Sequence, residues 1–296
     1  MTGREKGFLL LTSKLGNPER KCLTVPQFRD LARRAEHLMV DDPNRDMRAE
    51  DLLHLGYNVV MAERIIGLLQ EEDLCRHYIS KGARGGCTVL TRISEEYPRT
   101  LQRKLQLEAP GSLWTKGDLA VLDTPALSLV GSRELSEENR EFAREVGRQA
   151  AIQGYTLISG NARGADREAQ ESCLQHGGKV ISVVADRLQD QEERENVLYL
   201  SEDGYDLPFS AQRALSRNRV IHALPTLGVF VAQCNLQFGG TWNGTEKNLK
   251  YGWSSVFCYG DQSPAQIELC LRGAEAVTTA DLSDFYALQT KDTGLF

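Results

Sequence analysis

The fold class follows from residues 126–185, which read ALSLVGSRELSEENREFAREVGRQAAIQGYTLISGNARGADREAQESCLQHGGKVISVVA. Three short, largely apolar runs in this stretch, LSLV, YTLIS and KVISVVA, have the length and composition of buried strands. The two segments between them have helical periodicity, and the first begins after a capping Ser136 and ends at Gly154. This alternation predicts an α/β fold, namely a Rossmann-like, doubly wound and mostly parallel sheet with helices on both faces.

The same alternation continues on both sides of the central stretch. Downstream, LGVFVAQ (227–233) and SSVFCYG (254–260) predict two further strands, separated by a helix over GTEKNLKYG (244–252). PAQIELCLRGAEAVT (264–278) extends the pattern with a helix and a final strand. Upstream, TVLTR (88–92) predicts a strand that is followed by a turn at Tyr97-Pro98 and a helix. The predicted α/β domain therefore spans residues 87–278.

Residues 1–86 predict a small helical domain of the SAM or helix–hairpin–helix type. One helix begins after Thr24, a second ends at Gly56, and a third continues from Asn58 or Val59 to Ser80. Such helices occur in small DNA-binding modules and equally in helical caps without that role. KGARGG (81–86) ends the helical pattern, and residues 279–296 are predicted to be a C-terminal tail without a winged helix.

Composition excludes several classes of protein. The 296 residues contain 41% hydrophobic and 26% charged residues, which is the balance of a globular protein rather than a disordered one. The 35 basic and 41 acidic residues leave a net charge of −6, so a nucleic-acid site would require a local basic patch. Seven scattered cysteines without a C-x-x-C pair predict reduced thiols, and no apolar run is long enough to span a membrane. We therefore expect a cytoplasmic protein with no membrane partner.

Polar and glycine-rich segments cluster where the predicted strands end. In an open α/β sheet, ligands bind outside the carboxyl ends of the strands. We place four segments there as loops, and their candidate binding residues are Gly131, Ser132 and Arg133; Ser159, Gly160, Asn161, Arg163, Gly164 and Asp166; Arg217, Asn218 and Arg219; and Gly239, Gly240 and Thr241.

The composition of these segments suits a phosphate-bearing ligand. Glycines permit close backbone approach, helix N-termini present free N–H groups to an anion, and arginine forks match phosphate oxygens. Asp166 would cap its helix or orient a neighbouring arginine. GSRELSEEN lacks the second and third glycines of the dinucleotide fingerprint, and no P-loop motif is present, so no bound cofactor is predicted. The histidines lack metal-ligand spacing, which argues against a metal site.

Two further sets of residues have open interpretations. Glu202 in YLSEDG lies near the predicted site, and we favour an ordering role for it over that of a general base. Four aromatic residues are candidates either for stacking on nucleobases or for packing in the core; they are Tyr205, Trp242, Tyr251 and Trp253.

The central block resembles the DprA/Smf DNA-processing family. The matching features are the strand that ends in Gly-Ser-Arg (131–133), SGNARGADREA (159–169), LSE (200–202), SRNRVIHAL (216–224) and the upstream YPRTL…APGSLWTKGD. The resemblance covers residues 88–277 and implies an extended Rossmann fold without catalytic activity. It also implies a homodimer that binds and protects incoming single-stranded DNA and helps to load the RecA recombinase in natural transformation and recombination. Arg133, Arg163, Arg217 and Arg219 would contact phosphates.

The sequence departs from the family pattern in two loops. The loop after the third strand of the central stretch, ADRLQDQEERENVLYL (185–200), is strongly acidic, and Gln233 replaces a usual glutamate. GGTWNGTE (239–246) resembles the loop of the related LOG nucleotide-binding proteins. A second hypothesis is therefore a nucleotide sensor or a LOG-like phosphoribohydrolase, with Glu246 and Glu202 catalytic and Arg133 on a 5′-phosphate. A third is a protein-interaction module whose pocket is vestigial.

Overall fold

The structure is a computed structural model that describes residues 1–38 and 45–291. The described residues form one sheet of nine strands: β1 Cys87–Thr91, β2 Ser112–Lys116, β3 Ala126–Val130, β4 Thr156–Ser159, β5 Val180–Val183, β6 Val197–Glu202, β7 Val229–Val231, β8 Val256–Tyr259 and β9 Glu275–Val277. The helices are α1 Gly3–Thr12, α2 Val25–Ala35, α3 Ala49–His54, α4 Val59–Gln70, α5 Glu72–Arg84, α6 Arg99–Leu105, α7 Glu137–Ile152, α8 Ala165–Gln175, α9 Ala211–Ala223, α10 Gly239–Tyr251, α11 Pro264–Leu271 and α12 Phe285–Lys291. Short 3-10 helices lie at Gln106–Glu108, Leu119–Asp123, Leu188–Asp190 and Ala280–Ser283.

The topology confirms the predicted α/β class. The strands lie in the order β1-β2-β6-β5-β4-β3-β7-β8-β9, and all neighbours from β6 to β9 are parallel. Strands β1 and β2 add an antiparallel edge. The chain builds one side of the sheet from β3 to β6 and then returns to place β7 on the other side of β3. The carboxyl ends of β3 and β7 therefore flank the point at which the winding direction reverses, where open α/β sheets bind ligands.

Local sequence signals account for most of the central helices. The Ser136 hydroxyl accepts a hydrogen bond from the Asn139 N–H at 3.3 Å, which starts α7 as predicted. Gly154, just after α7, has φ +75°, a conformation that favours glycine. Strands β3, β4 and β5 are buried along their whole length, which explains their continuous apolar sequences.

The structure differs from the sequence prediction in several elements. The single helix expected from residue 58 to 80 is divided into α4 and α5, because the ψ of +36° at Glu71 is not helical. Strands β2 and β6 and helix α1 were not predicted. Helix α10 begins at Gly239 rather than Gly244. The predicted loop at residues 216–219 lies inside α9, which begins after Ser210, whose hydroxyl accepts a hydrogen bond from the Arg213 N–H.

The N-terminal helices share part of their core with the sheet. Leu9 and Leu10 of α1 and Tyr78 of α5 are buried in the same cluster as the sheet residues, and the Tyr78 ring lies 5.3 Å from Trp114 of β2. Helices α2 to α4 enclose a separate small cluster. The division of the chain at residue 86 stays a prediction.

The segment after β9 packs against the sheet as well. Leu282, Phe285 and Leu288 are buried in the main core cluster, so the described part of the predicted tail is structured. Across residues 1–38 and 45–291, none of the helices is long and apolar enough to cross a bilayer.

Candidate functional site

A cavity of about 580 Å³ opens at the carboxyl ends of β3 and β7. Its walls are the segment after β3, the start of α8, one face of α9 and the start of α10. Nine of the residues predicted from sequence line it: Gly131, Ser132, Arg133, Asp166, Arg217, Asn218, Gly239, Gly240 and Thr241.

Close backbone packing shapes the rim of this cavity. The Ser132 carbonyl accepts a hydrogen bond from the Ala165 N–H at 3.1 Å, which ties the segment after β3 to the start of α8. Gly164 has φ +85°, and a Cβ there would collide with the carbonyl oxygens of Ser132 and Arg133. Thr241 donates to the Gly131 carbonyl at 3.0 Å and so joins α10 to the same segment. The glycines are therefore needed for close approach between loops.

Arg217 and Asp166 form the charged centre of the site. Arg217 Nη1 donates to the Val183 carbonyl at 2.6 Å, and Asp166 Oδ2 accepts from the Ala162 N–H at 3.3 Å. Burial raises the pKa of Asp166 and lowers the pKa of Arg217, while the attraction between the two charges opposes both shifts. A Cβ on Gly160 would collide with both side chains, so glycine permits this arrangement.

Two other predicted arginines are exposed near this centre. Within the described residues, neither Arg133 nor Arg163 has an ion pair or a side-chain hydrogen bond, and Arg133 lines the cavity whereas Arg163 does not. The positive charge of Arg133 also acts to lower the pKa of Asp166. Arg133 is thus a free guanidinium beside the cavity and available to an anionic ligand.

Six predicted residues do not line the cavity: Ser159, Gly160, Asn161, Arg163, Gly164 and Arg219. The Ser159 hydroxyl is buried and accepts a hydrogen bond from Gln170 Nε2 at 2.7 Å, and Asn161 donates to Gln191 at 3.0 Å. Arg219 forms an ion pair with Glu202 at 2.6 Å. Arg217 and Arg219 are two residues apart on helix α9, so their side chains face different directions. The sequence analysis placed both arginines in a loop and therefore did not predict this separation.

The carboxylates considered for catalysis lie outside the cavity. Glu202 is buried, burial raises its pKa, and it accepts hydrogen bonds from Arg219 and Ser216. Glu246 forms an ion pair with Arg272. Neither carboxylate lines the cavity. These contacts fit the ordering role expected for Glu202.

The structure separates the four aromatic candidates. Tyr205, Trp242 and Trp253 are buried, so they pack in the interior, whereas Tyr251 is 57% exposed. Sequence reasoning missed two aromatic residues at the mouth of the cavity, Phe209 and Phe238, which are 59% and 74% exposed. The signal available in the sequence was that Phe209 follows Pro208 and Phe238 precedes Gly239, which places both aromatic residues in loop sequences.

His222 was also missed. It lines the inner end of the cavity, is fully buried, and neither ring nitrogen has a hydrogen-bond partner among the described residues. Burial lowers the pKa of its imidazole to about 3, so the ring is neutral at pH 7. Among the described residues, no group of three or more His, Cys, Asp or Glu side chains is placed to hold a metal ion.

Fold and site together define an α/β protein with an aromatic-rimmed pocket at the carboxyl edge of a parallel sheet, and the charged residues of this pocket are Arg133, Glu134, Asp166 and Arg217. The model of the family described as DNA recombination-mediator protein A matches residues 88–282, about two thirds of the chain. The chain belongs to this family, which confirms the resemblance seen in the sequence.

Individual relatives agree with this assignment. Protein Smf of Escherichia coli is 32% identical over 157 residues, which is 49% of this chain and 41% of that protein. DNA processing protein DprA of Streptococcus pneumoniae is 33% identical over 147 residues, which is 45% of this chain and 50% of the relative. The chain therefore matches half or less of the length of these two relatives.

Solved structures share the architecture. The X-ray structure of DprA from Streptococcus pneumoniae superposes with a TM-score of 0.72 at 25% identity, covering 95% of this chain and 97% of that one. DNA processing protein A from Helicobacter pylori, a structure described for its single-stranded DNA binding mode, has a TM-score of 0.57 at 24% identity. It covers 70% of this chain and 96% of that chain, and the likeness shows the fold alone.

Proposed function

We propose that this chain binds single-stranded DNA in the cavity at the carboxyl ends of β3 and β7 and that it catalyses no reaction there. The observation that carries the proposal is the convergence of exposed Arg133 and half-buried Arg217 on a glycine-lined cavity whose mouth holds Phe209 and Phe238. Guanidinium groups suit phosphate oxygens, and exposed aromatic rings suit unpaired bases of any sequence.

The acidic loop that departs from the family pattern does not oppose this proposal. None of its five acidic residues, which are Asp186, Asp190, Glu192, Glu193 and Glu195, lines the cavity among the described residues. The negative charge of Asp186 acts to raise the pKa of Arg217 and so helps to keep that arginine charged. Lys116 Nζ donates to the carbonyl of Gln191 at 2.7 Å and so ties this loop to strand β2. The carboxylates of this loop are therefore not part of the cavity wall against which we place the strand.

In the proposed role the chain protects incoming single strands and helps to load the RecA recombinase during natural transformation and recombination. It would act as a homodimer in the cytoplasm. Membership of the DNA recombination-mediator family supports the role in recombination, and the resemblance to that family is the ground for proposing the dimer and RecA loading. Sedimentation velocity would test the dimer. RecA filament formation on strands precoated with single-strand-binding protein would test the loading role, and no stimulation by the chain would contradict it.

The binding proposal is tested by fluorescence anisotropy. A labelled strand of about twenty nucleotides, longer than the ~4–16 nucleotides that a single-strand groove typically covers, is titrated at two salt concentrations and competed with AMP. Binding should weaken steeply with salt, because each phosphate contact releases a counterion, and AMP should not displace the strand. An Arg133→Ala, Arg217→Ala double variant that remains folded in thermal unfolding should lose the binding. Wild-type affinity in that variant would refute the assignment.

The nucleotide-hydrolase hypothesis predicts instead that AMP displaces the strand and is hydrolysed. Its carboxylates, Glu202 and Glu246, are held in ion pairs outside the cavity. We therefore expect no release of base from nucleoside monophosphates by the wild-type chain and unchanged strand binding at the cavity in a Glu246→Gln variant. Complete displacement of the strand by low AMP, with hydrolysis that is lost in Glu246→Gln, would favour the enzyme instead.

A further inference from the structure

A second groove lies beside the cavity, on the outer surface between α9 and α10. Its volume is about 500 Å³, and it shares Leu215 and Asn218 with the first cavity. The two depressions therefore meet at these two residues of α9. A ligand that fills the first cavity and continues past Leu215 enters the second groove.

Each helix presents a polar stripe to this groove. On α10, Asn243, Lys247 and Tyr251 follow at intervals of four residues, which places them on one helical face. At ~1.5 Å per residue, this stripe extends about 12 Å and leads away from the start of α10 at the first cavity. Gln212 and Ser216 form the facing stripe on α9.

The far end of the groove holds a fixed aromatic ring. Tyr251 is 57% exposed, and its ring lies 5.6 Å from that of buried Trp253 at an interplanar angle of 16°. This packing restrains the tyrosine without burying it. The Lys250 ammonium lies 5.5 Å from the Tyr251 ring centre, so a positive charge accompanies the ring. A restrained, exposed ring beside a cation is the arrangement on which unpaired bases stack.

The remaining groups in the groove suit a polyanion with exposed bases. Within the described residues, the side chains of Gln212, Asn243 and Lys247 have no hydrogen-bond or ion-pair partner, so they are available to a ligand. The negative charge of Glu246 faces the groove but is compensated by Arg272. Glu108 is the other acidic residue in the lining, and the charge of Arg219, which lines the same groove, is compensated by Glu202.

We propose that this groove is a second segment of the single-strand path and that Tyr251 stacks on a base that lies beyond the first cavity. The inference rests on the proposed function, because it extends the strand that the first cavity holds. It selects Tyr251 from the four aromatic candidates of the sequence analysis, and it assigns a binding role to Lys247, which was not a candidate there. The predicted ligand is a single-stranded oligonucleotide long enough to fill both depressions.

The test compares ligands of two lengths. Affinities are measured for a strand of about twelve nucleotides, within the ~4–16 that single-strand grooves cover, and for a dinucleotide that fits the first cavity alone. Tyr251→Ala should weaken the longer strand by about 5- to 100-fold, the equivalent of one lost base stack, and leave the dinucleotide unchanged. Tyr251→Phe should retain wild-type affinity, because the ring rather than the hydroxyl makes the stack. Tyr286→Ala removes an exposed tyrosine outside both depressions and serves as the control.

A Lys247→Ala variant tests the phosphate contact in the same groove. For the longer strand, the slope of log affinity against log salt concentration should decrease in magnitude by about 1, which corresponds to one lost phosphate contact. The proposed role of the second groove would be refuted if Tyr251→Ala bound the longer strand with unchanged affinity while the Arg133→Ala, Arg217→Ala variant lost binding. That result would leave the proposal for the first cavity intact. If the wild-type chain bound no strand at all, both proposals would be wrong.

Discussion

The guanidinium of Arg217 lies against the backbone of Gly160, in the space that a Cβ at position 160 would occupy. Asp166 reaches the same point from α8, and Arg217 is further held by its hydrogen bond to the Val183 carbonyl at 2.6 Å. The loop after β4 and the middle of α9 therefore form one structural unit, which positions the half-buried guanidinium of Arg217 at the edge of the cavity.

The first prediction concerns this close approach. A Gly160→Ala substitution should displace Arg217, lower the free energy of unfolding by about 1–3 kcal/mol and weaken strand binding as strongly as Arg217→Ala. Chemical denaturation and anisotropy measure the two effects. Gly67→Ala is the matched control, because Gly67 lies within α4 with no atom near its Cβ position, so stability should be unchanged or slightly higher. Full strand affinity in Gly160→Ala would show that Arg217 is not positioned in this way.

The second prediction concerns the buried charges of Arg217 and Asp166. Arg217→Met should cost about 3 kcal/mol in the free energy of unfolding, because it leaves the Asp166 carboxylate buried without its main compensating charge. Adding Asp166→Asn to that variant should recover part of the loss. A double-mutant cycle measured by urea denaturation checks this coupling, and strictly additive effects of the two substitutions would contradict it.

The third prediction concerns His222 and acid stability. Burial lowers the pKa of this imidazole from 6.5 to about 3, so between these values the unfolded chain binds a proton that the folded chain does not. Stability should therefore fall as the pH falls through this range. Between pH 7 and pH 5 the wild-type free energy of unfolding should decrease by about 2 kcal/mol more than that of His222→Leu.

Denaturation curves at several pH values measure this difference. His54 is the matched control, because it is exposed at the end of α3 and its replacement by alanine removes no buried imidazole. Parallel pH profiles for the wild type and His222→Leu would show that the His222 ring is protonated normally in the folded state.

The fourth prediction concerns the ion pair between Arg219 and Glu202. Arg219→Ala should lower the free energy of unfolding by about 3 kcal/mol at pH 7, because it leaves the buried Glu202 carboxylate unpaired. Burial already raises the pKa of Glu202, and loss of Arg219 raises it further. The cost should therefore be present at neutral pH and decrease as the pH falls and Glu202 takes up a proton.

Thermal unfolding of wild type and Arg219→Ala at pH 7 and pH 5 measures this change. A double variant with Glu202→Gln removes the unpaired charge and should recover stability at pH 7. An equal loss at both pH values would show that Arg219 stabilises the fold by packing alone.

Much of the fold was predictable because its signals are local. The strands of the central stretch are buried on both faces, so their apolar composition is visible without knowledge of their neighbours, and Ser136 caps α7 within four residues. Strand β2 was missed because it contains Thr115 and Lys116, and it is stabilised by pairing with β1 and β6 rather than by its own composition. The division between α4 and α5 at Glu71 likewise has no breaker residue in the sequence.

The sequence by itself determined the α/β class, the family and the set of segments that meet at the carboxyl ends of the strands, because these depend on periodicity and motif order along the chain. The tertiary structure decided which side chains share the cavity. It placed Arg217 in the site and Arg219 beside Glu202, since residues two apart on a helix point in different directions. It also brought Phe209, Phe238 and His222 to the same cavity. These residues are distant in sequence, and only the winding of the sheet places them together.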